Sequence, residues 1–119
     1  MREPADILLV EDEAFIAIET EMSLQEEAQG PIVTCTDSEK AFAYLARETP
    51  RAVLLDFNLG RGETSEALAE SLLERGIPFA FLTGYSEATM RLPEPLLDAP
   101  RFSKPCHIDE VVAWLESIR

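Results

Sequence analysis

Five side chains that could bind a metal ion or contact a phosphoryl group follow short runs of residues that could form strands. Glu11 and Asp12 come directly after one run, Asp56 ends another, and Thr83 and Lys104 follow two more. In a sheet of parallel strands the carboxyl ends of the strands meet at one edge, and such sheets bind their ligands beyond that edge. The spacing therefore predicts that the five side chains converge on a single site.

Three of these side chains are carboxylates, which repel one another at a distance of a few ångströms unless a cation neutralises them. Carboxylate oxygens suit a hard cation such as Mg²⁺, which uses few protein ligands and keeps several waters. We expect Glu11, Asp12 and Asp56 to hold Mg²⁺, directly or through water. The backbone carbonyl of Asn58 is a further candidate ligand.

Asp56 is the candidate nucleophile of this site, since a carboxylate that attacks phosphorus forms an acyl phosphate. Phosphoryl transfer requires mainly positioning and neutralisation of charge, to which Lys104 can contribute beside the metal. The hydroxyl of Thr83 can donate a hydrogen bond to a phosphoryl oxygen once that group is attached. The residue types together predict Mg²⁺-dependent phosphorylation of Asp56.

Four mostly apolar runs predict strands at residues 7–10, 32–35, 52–55 and 79–82, and residues 101–103 predict a short fifth strand. Continuous apolar strands are typical of a sheet that is covered on both faces. Because five helical segments alternate with these strands, the sequence predicts an α/β fold with a doubly wound parallel sheet.

The helical segments are recognised by apolar spacing and by their end signals. Phe15, Ile18 and Met22 recur at helical spacing before a stop at Gly30-Pro31, and Thr36 with Glu39 forms a capping-box pattern for the second helix. Thr64 or Ser65 can cap the third helix, which we expect to bury Leu68, Leu72 and Leu73 and to end at Gly76. A short fourth helix is predicted within residues 86–92. The last helix is marked by Ile108, Val111, Val112, Leu115 and Ile118.

The composition favours one compact domain over residues 1–119, since 46% of the 119 residues are hydrophobic. The formal net charge of −13 disfavours nucleic acid partners, whose phosphates such a surface repels. No apolar run approaches the roughly 20 residues that span a bilayer, and no signal peptide pattern is present. Cys35 and Cys106 lie far apart, outside any C-x-x-C arrangement, which favours reduced thiols and a cytoplasmic location.

The motifs taken together resemble the receiver domain of two-component response regulators. The resemblance rests on residues 10–13 (VEDE), 54–56 (LLD), 82–84 (LTG) and 104–105 (KP), and it covers nearly the whole chain. It implies a flavodoxin-like (βα)5 fold with strand order 2-1-3-4-5. It also implies that a sensor histidine kinase donates the phosphoryl group from a phosphohistidine. Such a domain is a signalling module that assists its own phosphorylation and dephosphorylation, and it is not classed as an enzyme.

A narrower resemblance concerns residues 78–85 (PFAFLTGY), which look like the strand-four signature of the "FAT GUY" receivers of alphaproteobacteria. Residues 56–63 (DFNLGRGE) agree with that class, which lacks the proline of most acceptor loops. Proteins of the class often stand alone, and they work with HWE-type sensor kinases or in general stress-response circuits.

The chain departs from the receiver pattern at one position of the expected switch. Most receivers carry Tyr or Phe three residues before the lysine, and this chain has Arg101 there. Tyr85 is a candidate substitute aromatic, and half-buried packing is the alternative role for it. We expect phosphorylation to draw Thr83 inward and to reshape residues 84–100. His107, at the start of the last helix, is expected to be a capping or solvated residue and not a phosphoryl donor.

No output domain is expected, because the chain ends at Arg119 directly after its last amphipathic helix. The protein would then act by binding another protein, by passing phosphoryl groups to a histidine phosphotransferase, or as a phosphate sink. Three alternatives remain open: an unphosphorylated interaction module, a flavin-binding domain, and a Mg²⁺-dependent aspartyl-phosphate phosphatase. The phosphatase needs an acid two residues after the nucleophile, where this chain has Asn58. The flavin domain needs a phosphate cradle after the first strand, where the acidic residues would repel phosphate.

Overall fold

A computed structural model describes residues 7–27, 31–57, 64–83, 96, 99–103 and 108–118. Its strands are β1 (Ile7–Val10), β2 (Ile32–Cys35), β3 (Ala52–Asp56), β4 (Phe79–Thr83) and β5 (Arg101–Ser103). The helices of the described residues are α1 (Ala14–Glu26), α2 (Ser38–Leu45), α3 (Glu66–Arg75) and α4 (Ile108–Ser117). The helix predicted within residues 86–92 lies outside the described residues.

The five strands form one parallel sheet in the order β2-β1-β3-β4-β5. The α/β class and the strand order of the flavodoxin-like fold are therefore confirmed. Strand β1 lies between β2 and β3, and its residues pair in register with both. The carboxyl ends of β1 and β3 are consequently direct neighbours.

The core lies on both faces of the sheet, which explains why the central strands are apolar without alternation. Leu8 and Val10 of β1 pack into the cluster that α2 and α3 cover. Ile7 and Leu9 pack into the second cluster, which α1 and α4 cover. Strands β1 and β3 are buried throughout their length, so burial of apolar side chains fixes both the sheet and its edge.

Helix α1 is present as expected, but its apolar spacing does not mark its buried face. Phe15, Ile18 and Met22 are 88%, 55% and 56% exposed. The buried residues are instead Ala17, Thr20 and Leu24. Small side chains at two of these positions allow the helix to approach the sheet closely, and the larger side chains lie toward solvent.

Two further details of the helices differ from the sequence expectations. The prediction that Leu73 is buried was wrong, because α3 buries Leu68, Ala69 and Leu72 and leaves Leu73 45% exposed. The capping box at Thr36 was also wrong, because the N-cap of α2 is Asp37, whose carboxylate accepts a hydrogen bond from the Lys40 backbone N–H at 2.8 Å.

The third helix ends and is anchored as its sequence dictates. Gly76 adopts φ 72°, a left-handed conformation that closes α3 and that other residues adopt only with strain. Directly before Gly76, the Arg75 guanidinium donates to the Leu45 carbonyl at 2.8 Å and to the Thr49 hydroxyl at 3.3 Å. Arg75 therefore ties the end of α3 to the end of α2.

Candidate functional site

The site forms where β1, β3 and β4 end side by side. Val10 pairs with Leu55, and Asp56 pairs with Leu82. Glu11 and Asp56, which directly follow the paired residues Val10 and Leu55, therefore lie side by side at the carboxyl ends of β1 and β3. The backbone N–H of Glu11 donates to the Cys35 carbonyl at 3.0 Å, which continues the pairing of β1 with β2 by one residue. Parallel register thus determines that these two carboxylates lie next to each other.

Three carboxylates meet at this edge. Glu11, Asp12 and Asp56 each offer an oxygen, and these three atoms lie within 4.8 Å of one another. Glu11 is fully buried and Asp56 is 2% exposed, whereas Asp12 is exposed. The cluster therefore has a buried base and one side that is open to solvent, which is the form that a cation with retained waters requires.

Backbone hydrogen bonds hold the two buried carboxylates in place. The backbone N–H of Glu13 donates to Glu11 Oε2 at 3.2 Å and fixes the turn that leads into α1. The backbone N–H of Phe57, directly after Asp56, donates to the Leu82 carbonyl at 3.0 Å. Both acids therefore project from backbone that is held in place before any ligand binds.

Ser65 is a residue of the site region whose role the sequence did not reveal. Its backbone N–H donates to the Phe57 carbonyl at 3.0 Å, and its hydroxyl donates to the same oxygen at 3.4 Å. The side chain is fully buried and makes no hydrogen bond as a helix cap. A serine before a helix is normally interpreted as a cap, so only the three-dimensional structure shows that it anchors the strand end beside Asp56.

Thr83 is the last residue of β4, which is the strand next to Asp56, and it is 3% exposed. It pairs with Ser103 of β5, one residue before the predicted Lys104. Lys104 and Asn58 lie outside the described residues, as do Tyr85 and His107. The structure thus brings together Glu11, Asp12 and Asp56, with Thr83 at the same edge.

Two other positions near this edge differ in character from the acidic cluster. Cys35 ends β2, and burial, with a smaller effect of the Asp37 charge, raises the pKa of its thiol above the ordinary value of 9.0. The thiol is therefore neutral at physiological pH and adds no charge there. Arg101, at the position of the expected aromatic, is an exposed residue of β5 that pairs with Phe81.

The donor set fits a hard divalent cation. All three candidate ligands are carboxylate oxygens, with no sulfur or imidazole among them, and this favours Mg²⁺ over softer metals. Two of the three acids are buried, and buried like charges are unfavourable unless a cation offsets them. In the described part of the chain no helix is both long and apolar enough to cross a bilayer.

Comparisons with known proteins agree with this architecture, although no family model matches the chain. The solution structure of SdrG from Sphingomonas melonis Fr1 is 35% identical in sequence, with a TM-score of 0.80 over 99% of this chain and 98% of that one. The PhyR response regulator REC domain of Erythrobacter litoralis is 25% identical, with a TM-score of 0.77 over 97% of this chain and 89% of that one.

A curated relative, the transcriptional regulatory protein PdtaR of Mycobacterium tuberculosis, is 27% identical over 116 residues. These residues make up 95% of this chain and 56% of PdtaR, so the chain spans about half the length of the curated relatives that it matches. This chain is 35% identical to SdrG over nearly all of both chains, and its sheet has the strand order 2-1-3-4-5. The chain therefore belongs to the response regulator receiver domains of two-component systems.

Proposed function

We propose that this receiver domain accepts a phosphoryl group on Asp56 from the phosphohistidine of a sensor histidine kinase, in a Mg²⁺-dependent reaction. The observation that supports the proposal most strongly is the cluster of Glu11, Asp12 and Asp56, with Asp56 almost fully buried at its base. Buried like charges are unfavourable unless positive charge offsets them, and this supports a cation site here.

In this proposal Glu11, Asp12, Asp56 and the carbonyl of Asn58 hold Mg²⁺, which would neutralise negative charge on the phosphoryl group. The carboxylate of Asp56 attacks the phosphorus of a phosphohistidine whose other ring nitrogen carries a proton. An O–P bond forms as the N–P bond breaks, and the imidazole leaves in its neutral form with that proton. Lys104 contributes a positive charge to the phosphoryl oxygens, and the Thr83 hydroxyl donates a hydrogen bond to one of them.

The biological setting is also a proposal. Receiver domains act with histidine kinases and phosphorelay partners. The strand-four and acceptor-loop sequences support membership of the FAT GUY class, which suggests an HWE-type kinase and a general stress-response circuit in the cytoplasm. The phosphorylated domain would act by binding a partner protein, by relaying the group to a histidine phosphotransferase, or as a phosphate sink.

The test is incubation with acetyl phosphate, with Mg²⁺ or with EDTA, followed by intact mass spectrometry. We expect a gain of about 80 Da, one PO₃ unit, in Mg²⁺ only. Asp56→Asn should remove the gain, and Asp109→Asn, which changes an exposed acid of α4, should retain it. Equal uptake by Asp56→Asn and the parent would refute the assignment, and steady turnover of a phosphomonoester would indicate a phosphatase instead.

A further inference from the structure

A cavity of about 400 Å³ opens at the end of the sheet opposite to Asp56. It lies between the end of α3, the start of β4, the two residues that precede β5, and α4, and its walls include Leu73, Phe79, Pro100 and Trp114. Phe79 and Thr83 are the first and last residues of β4 and so lie about 13 Å apart, at about 3.3 Å per residue. The cavity is therefore separate from the acidic cluster.

The aromatic walls of the cavity are supported from behind. Trp114 packs edge-to-face on Phe102, with ring centroids 6.2 Å apart, and Phe79 packs in the same way on Phe81 at 5.7 Å. Phe81 is fully buried and Phe79 is 7% exposed, so neither ring can turn away without disturbing the core. The Phe79 wall is therefore fixed by the core, and the partly buried Trp114 is held by its contact with Phe102. A largely preformed pocket is typical of sites for small molecules.

The lining also defines the charge of a ligand. Among the described residues, no ionisable side chain lines the cavity. A cation would find no carboxylate there, and an anion would be repelled by a chain with a net charge of −13. The volume lies at the lower end of the range of about 300–1,000 Å³ that small-molecule pockets cover.

We propose that this cavity binds a small uncharged aromatic compound between Trp114 and Phe79. Trp114 is the one tryptophan of the chain, so its indole N–H gives a single, unambiguous NMR signal for the cavity. The inference goes beyond phosphorylation of Asp56. Asp56→Asn should therefore bind the probe as the parent does, and the two proposals can fail independently.

The test is an NMR titration of the full chain with indole, alongside its charged analogues indole-3-acetate and tryptamine. We expect indole to shift the Trp114 signal saturably, with half-saturation below about 1 mM, and both charged analogues to bind at least about tenfold more weakly. Non-saturable shifts, or equal affinity for all three compounds, would overturn the proposal. Tighter binding of N-acetyl-tryptophanamide than of indole would also overturn it, because the cavity would then suit a side chain of a partner protein.

A pair of matched variants locates the site. Leu73→Glu places a carboxylate in the cavity wall, and Met22→Glu makes a similar change at an exposed apolar residue of another helix, outside the cavity. Both positions are exposed, so both variants should fold, which a thermal unfolding scan would verify. Leu73→Glu should weaken indole binding at least about tenfold, and Met22→Glu should not change it. Equal affinity of the two variants would refute the location.

Discussion

The substitution Glu11→Gln tests whether the acidic cluster is strained by its own charge. Glu11 is fully buried, and its side chain lies within 4.8 Å of oxygens of Asp12 and Asp56. Glutamine has nearly the same shape and keeps a carbonyl oxygen that can accept the hydrogen bond of the Glu13 N–H. The change therefore removes one charge and leaves the packing in place.

The expected magnitude follows from the separation of the charges. Two unit charges 4.8 Å apart repel by about 3.5 kcal/mol at an effective dielectric constant of 20, and by about 0.9 kcal/mol in bulk water. Replacing the charged acceptor weakens the hydrogen bond from the Glu13 N–H by about 1 kcal/mol. Because Asp56 is buried beside Glu11, the repulsion should exceed this loss, and Glu11→Gln should raise the free energy of unfolding in EDTA by about 1–2 kcal/mol.

The assay is urea unfolding followed by circular dichroism, in EDTA and in Mg²⁺, at neutral pH. In EDTA the midpoint of Glu11→Gln should lie about 0.5–1 M above that of the parent. Mg²⁺ at ten times its dissociation constant should stabilise the parent by about 1.4 kcal/mol and the variant by less. Glu70→Gln, which changes an exposed acid of α3, should shift neither midpoint by more than about 0.5 kcal/mol.

Two results would refute this reasoning about the cluster. If Glu11→Gln unfolded at lower urea than the parent in EDTA, the buried carboxylate would be stabilising by itself. If Mg²⁺ stabilised the variant as much as the parent, Glu11 would not be part of the metal site.

Three further predictions concern the capping, burial and titration of described residues. Because Asp37 caps α2, Asp37→Ala should lower the free energy of unfolding by about 1 kcal/mol, and Thr36→Ala should lower it by less than about 0.5 kcal/mol. Equal effects of the two variants in urea unfolding would instead support the capping box at Thr36. Since Leu24 is buried and Phe15 is exposed, Leu24→Ala should lower the free energy of unfolding by about 3 kcal/mol, and Phe15→Ala should change it by less than about 0.5 kcal/mol. A larger loss of thermal stability in Phe15→Ala than in Leu24→Ala would contradict the position of α1. Because burial raises the pKa of the Cys35 thiol, the folded chain keeps its proton where the unfolded chain loses it, so stability should fall as pH rises past about 9. Cys35→Ala should lose part of this fall, and identical pH profiles for parent and variant would exclude Cys35 as its source.

The strands and the acidic edge could be predicted from the sequence because each follows from a local pattern and one general rule. An apolar run such as residues 52–55 is typical of a strand in a parallel sheet that is covered on both faces, and parallel strands end at a common edge. Glu11, Asp12 and Asp56 were therefore expected at that common edge, and in the structure they lie together there. The strand order, in contrast, came from the family resemblance, because local patterns do not determine which strands are neighbours.

The buried faces of the helices could not be predicted as well. Helical spacing of large apolar residues identifies a helix, but burial depends on which side chains fit against the sheet. In α1 the small Ala17 and Thr20 face the core and Phe15 does not. The anchoring role of Ser65 was missed for a similar reason, since its partner is the Phe57 carbonyl, eight residues away.

The contacts of Phe57 hold the backbone beside the acidic cluster in place. Its N–H and carbonyl are both hydrogen-bonded, to Leu82 of β4 and to Ser65 before α3, and its ring packs edge-to-face on Phe81 at 5.7 Å. The backbone beside Asp56 is therefore held by the sheet, by α3 and by the core together. Repulsion among the carboxylates cannot relax by moving that backbone without breaking these contacts. The proposed phosphoryl transfer depends mainly on positioning, and a cation would bind here at a site that these contacts already organise.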